Sequence, residues 1–281
     1  MERAYTLGLY EKAMPSDLTW REKLLAAKEA GFDFVEISID ETDAKLSRLD
    51  MTKEERLGLV RLMQETGVPI RTMCLSGHRK YPLGSSDPAV EARGIEIMEK
   101  AIRLAEDLGI RIIQLAGYDV YYEESTFETK KRFLANLKKA ADMAAKAGVT
   151  MGFETMENEF MNTVEKAMKY VTLVGSPYLN VYPDIGNITN AAKTYENDVL
   201  EDLELGKGHI VAMHLKETVP GKFREIPFGT GHVDFESAVT KAWELGVRKY
   251  VTEFWYTGNP GWKEDLTFAN EMFTRILNGR G

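Results

Sequence analysis

Four side chains of metal-ligand type stand at or near the ends of short apolar runs in the second half of the chain. "VTMGFE" closes on Glu154, "LNVYPD" on Asp184, "IVAMHLKE" carries His214 and "YVTEFW" carries Glu253. Their separations are 30, 30 and 39 residues, a recurring interval with no local motif. A carboxylate beside an apolar core is costly unless something pairs with it. Three of them brought together without a cation repel until some take up protons. A divalent ion removes that conflict. Two Glu, one Asp and one His form a hard oxygen set with one imidazole, which suits Mn²⁺, Co²⁺, Zn²⁺ or Mg²⁺ better than a thiolate-bound metal. Taken singly, each residue has a plainer role. His214 suits a satisfied buried side chain, Asp184 a turn before Ile185-Gly186-Asn187, and Glu253 a partner for Lys216 or Arg248. Their shared phase favours one divalent metal held by Glu154, Asp184, His214 and Glu253.

That phase depends on the elements that carry them. Gly31, Gly67, Gly109, Gly148, Gly175, Gly206 and Gly246 recur at intervals of about 36 residues, each after a segment with helical periodicity. Ile95, Met98, Ile102, Ala105 and Leu108 step by three and four, as do Leu134, Leu137, Ala141 and Ala144. Each such helix has one apolar stripe to bury. Starts are marked as well: Thr52 with Glu55 has capping-box spacing, Asp87-Pro88 places proline at a first helical position, and Asp234 can cap the helix after it. The runs after the glycines are short, β-branched and apolar, as parallel strands covered on both faces are. With "YTLGLYE" they number eight. Eight βα units predict an α/β fold, a (β/α)8 TIM barrel forming a single domain over residues 1–281. A doubly wound sheet is the alternative, but no Gly-x-Gly-x-x-Gly follows a strand. Barrel chemistry sits at the C-terminal strand ends, where these four residues fall.

Composition narrows the function classes. With 44% hydrophobic residues the chain can bury a large core, and its net charge of −8 argues against a nucleic-acid or anionic-membrane surface. The one cysteine, Cys74, cannot form an internal disulfide, which suits a reducing cytoplasm. The charged start "MERAYTLGLYEKAM" does not read as a signal peptide, and no apolar run approaches a membrane span. Cys74 itself reads as a small core residue. Glu36 and Gln114, polar and mid-strand, are expected to satisfy their surroundings, and His209 and His232 to lie in loops.

The segments "LGLYEKA", "GFDFVEISIDETDAKLSRLD", "MCLSGHRKYPLGS", "IRIIQLAGYDVYY", "YPDIGNIT", "GHIVAMHLKET" and "IPFGTGHVDFE" resemble the L-ribulose-5-phosphate 3-epimerase family, also called L-xylulose-5-phosphate 3-epimerase, of the xylose-isomerase-like barrels. The likeness runs from Gly8 to about Glu253. It implies a cytoplasmic, metal-dependent isomerase of L-ascorbate and related sugar catabolism, working as a homodimer on a ketose phosphate. The family's metal ligands fall on Glu154, Asp184, His214 and Glu253, and its acid–base pair on Glu154 and Glu253. In related epimerases of free sugars a His lies three residues after the Asp. Here that position is Asn187, which fits the phosphosugar branch.

Substrate-binding candidates follow from the loops. Barrel loops after strands seven and eight often bind phosphate, and the one after His214 holds Lys216, Lys222, Arg224 and "FGTG", whose N–H groups at Gly229 to Gly231 suit an anion nest. His78, Arg79 and Lys80 form a competing set. Tyr118, Tyr121, Tyr122 and Trp255 are candidates to wall the sugar. Two other functions share the pattern: an aldose–ketose isomerase, for which a second metal site is missing, and a non-catalytic barrel that binds a metal and a sugar phosphate. An abasic-site endonuclease fits poorly with four histidines and the acidic balance.

Overall fold

The computed structural model describes residues 3–280. Eight parallel strands make one sheet: β1 (Thr6–Tyr10), β2 (Phe34–Ile39), β3 (Ile70–Leu75), β4 (Ile112–Ala116), β5 (Thr150–Glu154), β6 (Leu179–Tyr182), β7 (Met213–Leu215) and β8 (Lys249–Thr252). β1 pairs with both β2 and β8, so the sheet curls round on itself, and its two ends are β6 and β7. Those ends meet through the single bridges Val181–Ile210 and Asp184–His214. Pro183 accepts the His214 N–H at 2.9 Å but has no N–H to return, which cuts the ladder short there. The expected (β/α)8 barrel is what the chain forms, and it closes at two of the four ligand candidates.

The helices start and stop where local chemistry directs. Thr52 and Glu55 make a reciprocal capping box, Asp87 caps the helix that begins at Pro88, and Asp234 accepts from the Ser237 N–H. Gly67, Gly109, Gly148 and Gly175 end helices in the left-handed conformation. Gly206 is there for another reason. A Cβ on it would lie 2.9 Å from Ile210 Cγ1 and 3.0 Å from Val164 Cγ1, so close packing requires the glycine.

Two apolar layers hold the barrel. Outward-facing strand residues such as Leu7, Ile37, Ile113 and Phe153 pack under the helices. Inside the ring, Phe34, Ile112, Tyr182, Ala212 and Val251 form a smaller core with Tyr10 and Cys74. Side chains alternate along a strand, so the inward residue two positions after an inward apolar one lies higher in the ring. Phe34 is followed this way by Glu36, Ile112 by Gln114, Ala212 by His214 and Val251 by Glu253. An apolar floor therefore lies under a polar upper layer. Gly152 on β5 makes room between these levels: a Cβ there would sit 2.9 Å from both Tyr182 Cβ and Val211 Cγ2.

At the same rim Glu11, just past β1, is fully buried. It pairs with Arg48 Nη1 at 2.6 Å, with Lys45, and with Lys23 Nζ at 3.6 Å, and it accepts the Ser38 N–H at 3.0 Å. Burial alone would raise its carboxyl, but the Arg48 and Lys45 charges hold it down to about 2. The cluster ties the loops after β1 and β2 together.

Candidate metal centre and substrate pocket

Each of the four ligand candidates is placed by a strand end. Glu154 ends β5 beside Tyr182 of β6. Asp184 begins the helix Ile185–Tyr195, where one oxygen, Oδ1, accepts the Asn187 N–H at 2.8 Å as a cap. Its other oxygen is left over. His214 is the middle residue of β7, and Glu253, just past β8, donates its N–H to the Leu215 carbonyl at 2.9 Å. One ligand atom from each of the four lies within 4.8 Å of all the others, and all four residues are buried. His214 Nδ1 is 3.2 Å from Glu253 Oε2 and 3.9 Å from both Glu154 Oε1 and Asp184 Oδ2. Ligands held about 2.0–2.2 Å from one ion are about 3–4.4 Å apart, so these spacings suit a shared cation. Asp184 Oδ2, His214 Nδ1 and Glu253 Oε2 are buried without a hydrogen bond. Outside the four residues, the two oxygens have only the Lys216 ammonium near them, and these three atoms without a hydrogen bond, from three successive strand ends and aimed at one point, fit a metal ion; the donor set is mostly hard oxygen.

The electrostatics show the conflict such an ion would resolve. Burial, then the neighbouring Glu253 charge, pushes the Glu154 carboxyl above its ordinary value. Burial also drives Asp184 well up, against the pull of Lys216. For Glu253 burial is outweighed by the Lys216 and His214 charges, which hold it well below the usual carboxylate range. Lys216 is the inbuilt cation of the site. It is buried, with Nζ 3.4 Å from Glu253 Oε2 and 2.8 Å from Asp184 Oδ2, the latter an ion-pair contact outside hydrogen-bond geometry. Burial would lower its ammonium, but Asp184, Glu253 and Glu154 raise it above the lysine norm.

Two mid-strand residues that sequence reading expected only to satisfy their surroundings turn out to touch the ligand candidates. The Gln114 amide donates to Glu154 Oε2, and Glu36 Oε1 lies 2.6 Å from His214 Nε2. Their phase showed that they face inward, each one step above an apolar residue as His214 and Glu253 do, but not what they touch.

Beside the cluster opens a cavity of about 170 Å³, lined among others by Tyr10, Lys12, Arg79, Glu157, Arg224 and Trp255. Of the substrate-binding candidates, Asn187, Lys216 and Trp255 also line it. Asn187 donates Nδ2 to the Thr155 carbonyl at 2.7 Å, and its Oδ1 is buried without a partner. Lys222, His78 and Tyr118 do not line it, nor do Lys80, Tyr121 and Tyr122. Lys222 is exposed, its backbone paired with Val219. His78 is buried with Nε2 3.0 Å from the Gly94 carbonyl, and desolvation lowers its pKa to about 4, so it is a neutral structural link. Tyr118 is buried behind the wall, accepting from Arg79 Nη2 at 3.2 Å and donating to Glu157 Oε2 at 3.0 Å. The glycine nest is already filled: the Gly229 and Val233 N–H groups donate to the Glu217 carboxylate. Of the competing set His78, Arg79 and Lys80, Arg79 lines the pocket, and the pocket cation that sequence reading did not name is Lys12, which follows β1 without a motif. Cys74 lines the pocket, and burial, then the neighbouring Glu154, Glu36 and Glu253 charges, push its thiol up.

Residues 24–272 match the family of xylose isomerase-like TIM barrels. The L-ribulose-5-phosphate 3-epimerase UlaE of Salmonella paratyphi C is 50% identical over 256 residues, 91% of this chain and 89% of that protein. The UlaE of Escherichia coli SMS-3-5 gives the same identity and coverage. Among solved structures, a D-psicose 3-epimerase in the presence of D-fructose superposes with a TM-score of 0.81 at 17% identity, covering 98% of this chain and all of that one. An L-ribulose 3-epimerase superposes with a TM-score of 0.75 at 20% identity, covering 98% and 95%. At such identities the two structures speak for the fold.

Proposed function

The chain belongs to the L-ribulose-5-phosphate 3-epimerase family of xylose isomerase-like TIM barrels, and we propose that it interconverts L-ribulose 5-phosphate and L-xylulose 5-phosphate. The observation that carries the reading is the convergence of Glu154 and Glu253, from β5 and β8, on one buried cluster at the pocket floor. Inverting C3 of a ketose means removing the proton beside the C2 carbonyl and returning one to the other face. Two carboxylates reaching in from non-adjacent strands can flank the sugar, one taking the proton and the other giving one, with the roles exchanged in the reverse direction.

Glu154, Asp184, His214 and Glu253 would hold one divalent ion, of Zn²⁺, Mn²⁺, Co²⁺ or Mg²⁺ type, which supplies Lewis acidity to the ketose oxygens. Gln114 fixes one oxygen of Glu154 and so sets the direction of the other. Lys216, beside Asp184 and Glu253, puts a positive charge where the enediolate develops its negative one. The unpartnered Asn187 Oδ1 is an acceptor for a sugar hydroxyl, and Trp255 walls the apolar side. Lys12, Arg79 and Arg224 are the pocket cations left for the phosphate. Arg224, about half exposed, lies 3.9 Å from Glu157 and over the Trp255 ring, its Cζ 5.6 Å from the centroid. We take residues 1–281 as one catalytic domain of a cytoplasmic homodimer. Among the described residues no helix is long and apolar enough to cross a membrane.

The test compares kcat/KM for L-ribulose 5-phosphate and for L-ribulose. One charge-assisted hydrogen bond to phosphate is worth about 1.5–3 kcal/mol, so the phosphorylated ketose should be favoured by about tenfold or more. Equal values would refute the phosphate assignment, and an aldose product would point to the isomerase alternative. Among the described residues there is one cluster of four such ligands, and a hydride shift usually needs a second.

A further inference from the structure

We propose that Glu36 is a positioning residue for the metal centre: its carboxylate, braced by Tyr182, fixes the tautomer and ring angle in which His214 presents Nδ1 to the other three ligands. Glu36 lies in mid-β2, across the ring from β7, and is fully buried. Its Oε1 is 2.6 Å from His214 Nε2, and its Oε2 accepts from the Tyr182 hydroxyl at 3.0 Å. A carboxylate has only acceptor lone pairs to offer in this arrangement, so the shared hydrogen belongs to Nε2. That leaves Nδ1, the ring nitrogen without a hydrogen bond, facing Glu253, Glu154 and Asp184.

Tyr182 acts twice. Its hydroxyl holds Glu36, and its ring meets the imidazole edge-on, with centroids 4.9 Å apart and planes at 73°. Gly152 leaves the space in which the Tyr182 Cβ sits. His214 is thus held at Nε2 by Glu36 and packed against the Tyr182 ring. A ligating histidine whose other nitrogen donates to a carboxylate is both oriented and made more basic, and loss of such a partner costs about 10–100-fold in metal affinity. Glu36 does not line the cavity beside the cluster, so its effect on turnover must pass through His214.

The inference rests on reading the four residues as a metal site, and its test is Co²⁺ binding by the full chain, measured by competition with a chelator. Glu36→Gln keeps the shape and an acceptor but loses the charge, and it should weaken binding at least fivefold; Glu36→Leu, which loses the acceptor as well, should weaken it by about 10–100-fold. The visible spectrum of bound Co²⁺ should shift in Glu36→Leu, and turnover of Glu36→Gln should return towards the wild-type value at saturating metal. A purely structural role would lower the melting temperature of the metal-free protein and leave affinity and spectrum unchanged. Weakening of less than fivefold in Glu36→Gln overturns the inference while leaving the epimerase reading intact. Wild-type protein that takes up no Co²⁺ overturns both.

Discussion

At the scale of single residues, the site is built from carboxylates whose two oxygens have different duties. Asp184 spends one oxygen on the cap of the helix Ile185–Tyr195 and keeps the other for the cluster. Glu154 gives one oxygen to Gln114, and Glu253 has one unpartnered oxygen beside Lys216. Replacing either glutamate by glutamine removes a basic oxygen and leaves the shape. Glu154→Gln and Glu253→Gln should therefore each lower turnover by at least about 10², measured with metal content checked in parallel. Near-normal turnover in either variant would remove that residue from the acid–base pair. That these four positions cluster was legible in the sequence because each closes or interrupts an apolar run at the same phase. Glu36 was not, because its partner is 178 residues away across the ring and strand phase alone does not say which inward residues touch. Lys222, His78 and Tyr118 misled for a related reason: loop cations and aromatics carry no periodicity that shows which way they point.

At the scale of elements, the barrel sacrifices regular pairing where the chemistry sits. The β6–β7 seam is held by single bridges, and one of them joins Asp184 to His214. Gly152 is the element-level device that lets Tyr182 stand beneath the imidazole. Gly152→Ala would force Tyr182 and Val211 apart, and overpacking of this kind costs about 1–3 kcal/mol. In a thermal melt this should appear as a fall of a few degrees; an unchanged melting temperature would show that the ring has slack at this level. Eight βα units could be read from glycine spacing and capping residues because helix ends are local chemistry. The strand ends were read long. "IVAMHLKE" yields only Met213–Leu215 as strand, since Pro183 opposite cannot supply a donor.

At the scale of the whole molecule, stability and pH are linked through the rim cluster of Glu11. Its carboxyl is depressed from 4.5 to about 2, so the folded state gains stability above the unfolded pKa and loses it as pH falls from about 4.5 towards 2. The shift corresponds to about 3 kcal/mol at most. Burial depresses the Lys23 and Lys45 ammonium groups despite Glu11, so the cations offset part of that figure. Denaturant melts at pH 6 and pH 3 should show the loss, and Glu11→Gln, already destabilised at pH 6, should lose less on acidification. Equal losses in the two proteins would show that other carboxylates dominate acid unfolding. Metal acts on the same balance: an ion at a hundred times its Kd adds about 2.7 kcal/mol to the folded state, so chelation should lower the melting temperature without unfolding the barrel. The barrel should stay folded without the ion because its apolar layers lie beneath and outside the four clustered residues.

Proton exchange at C3 between the two glutamates can be read directly with an isotope. The metal-loaded protein is incubated with L-ribulose 5-phosphate in D₂O and C3 is followed by NMR. Deuterium should enter C3 as L-xylulose 5-phosphate forms. Products that all keep their original C3 hydrogen, or exchange confined to C1 and C2 with an aldose appearing, would contradict the claim.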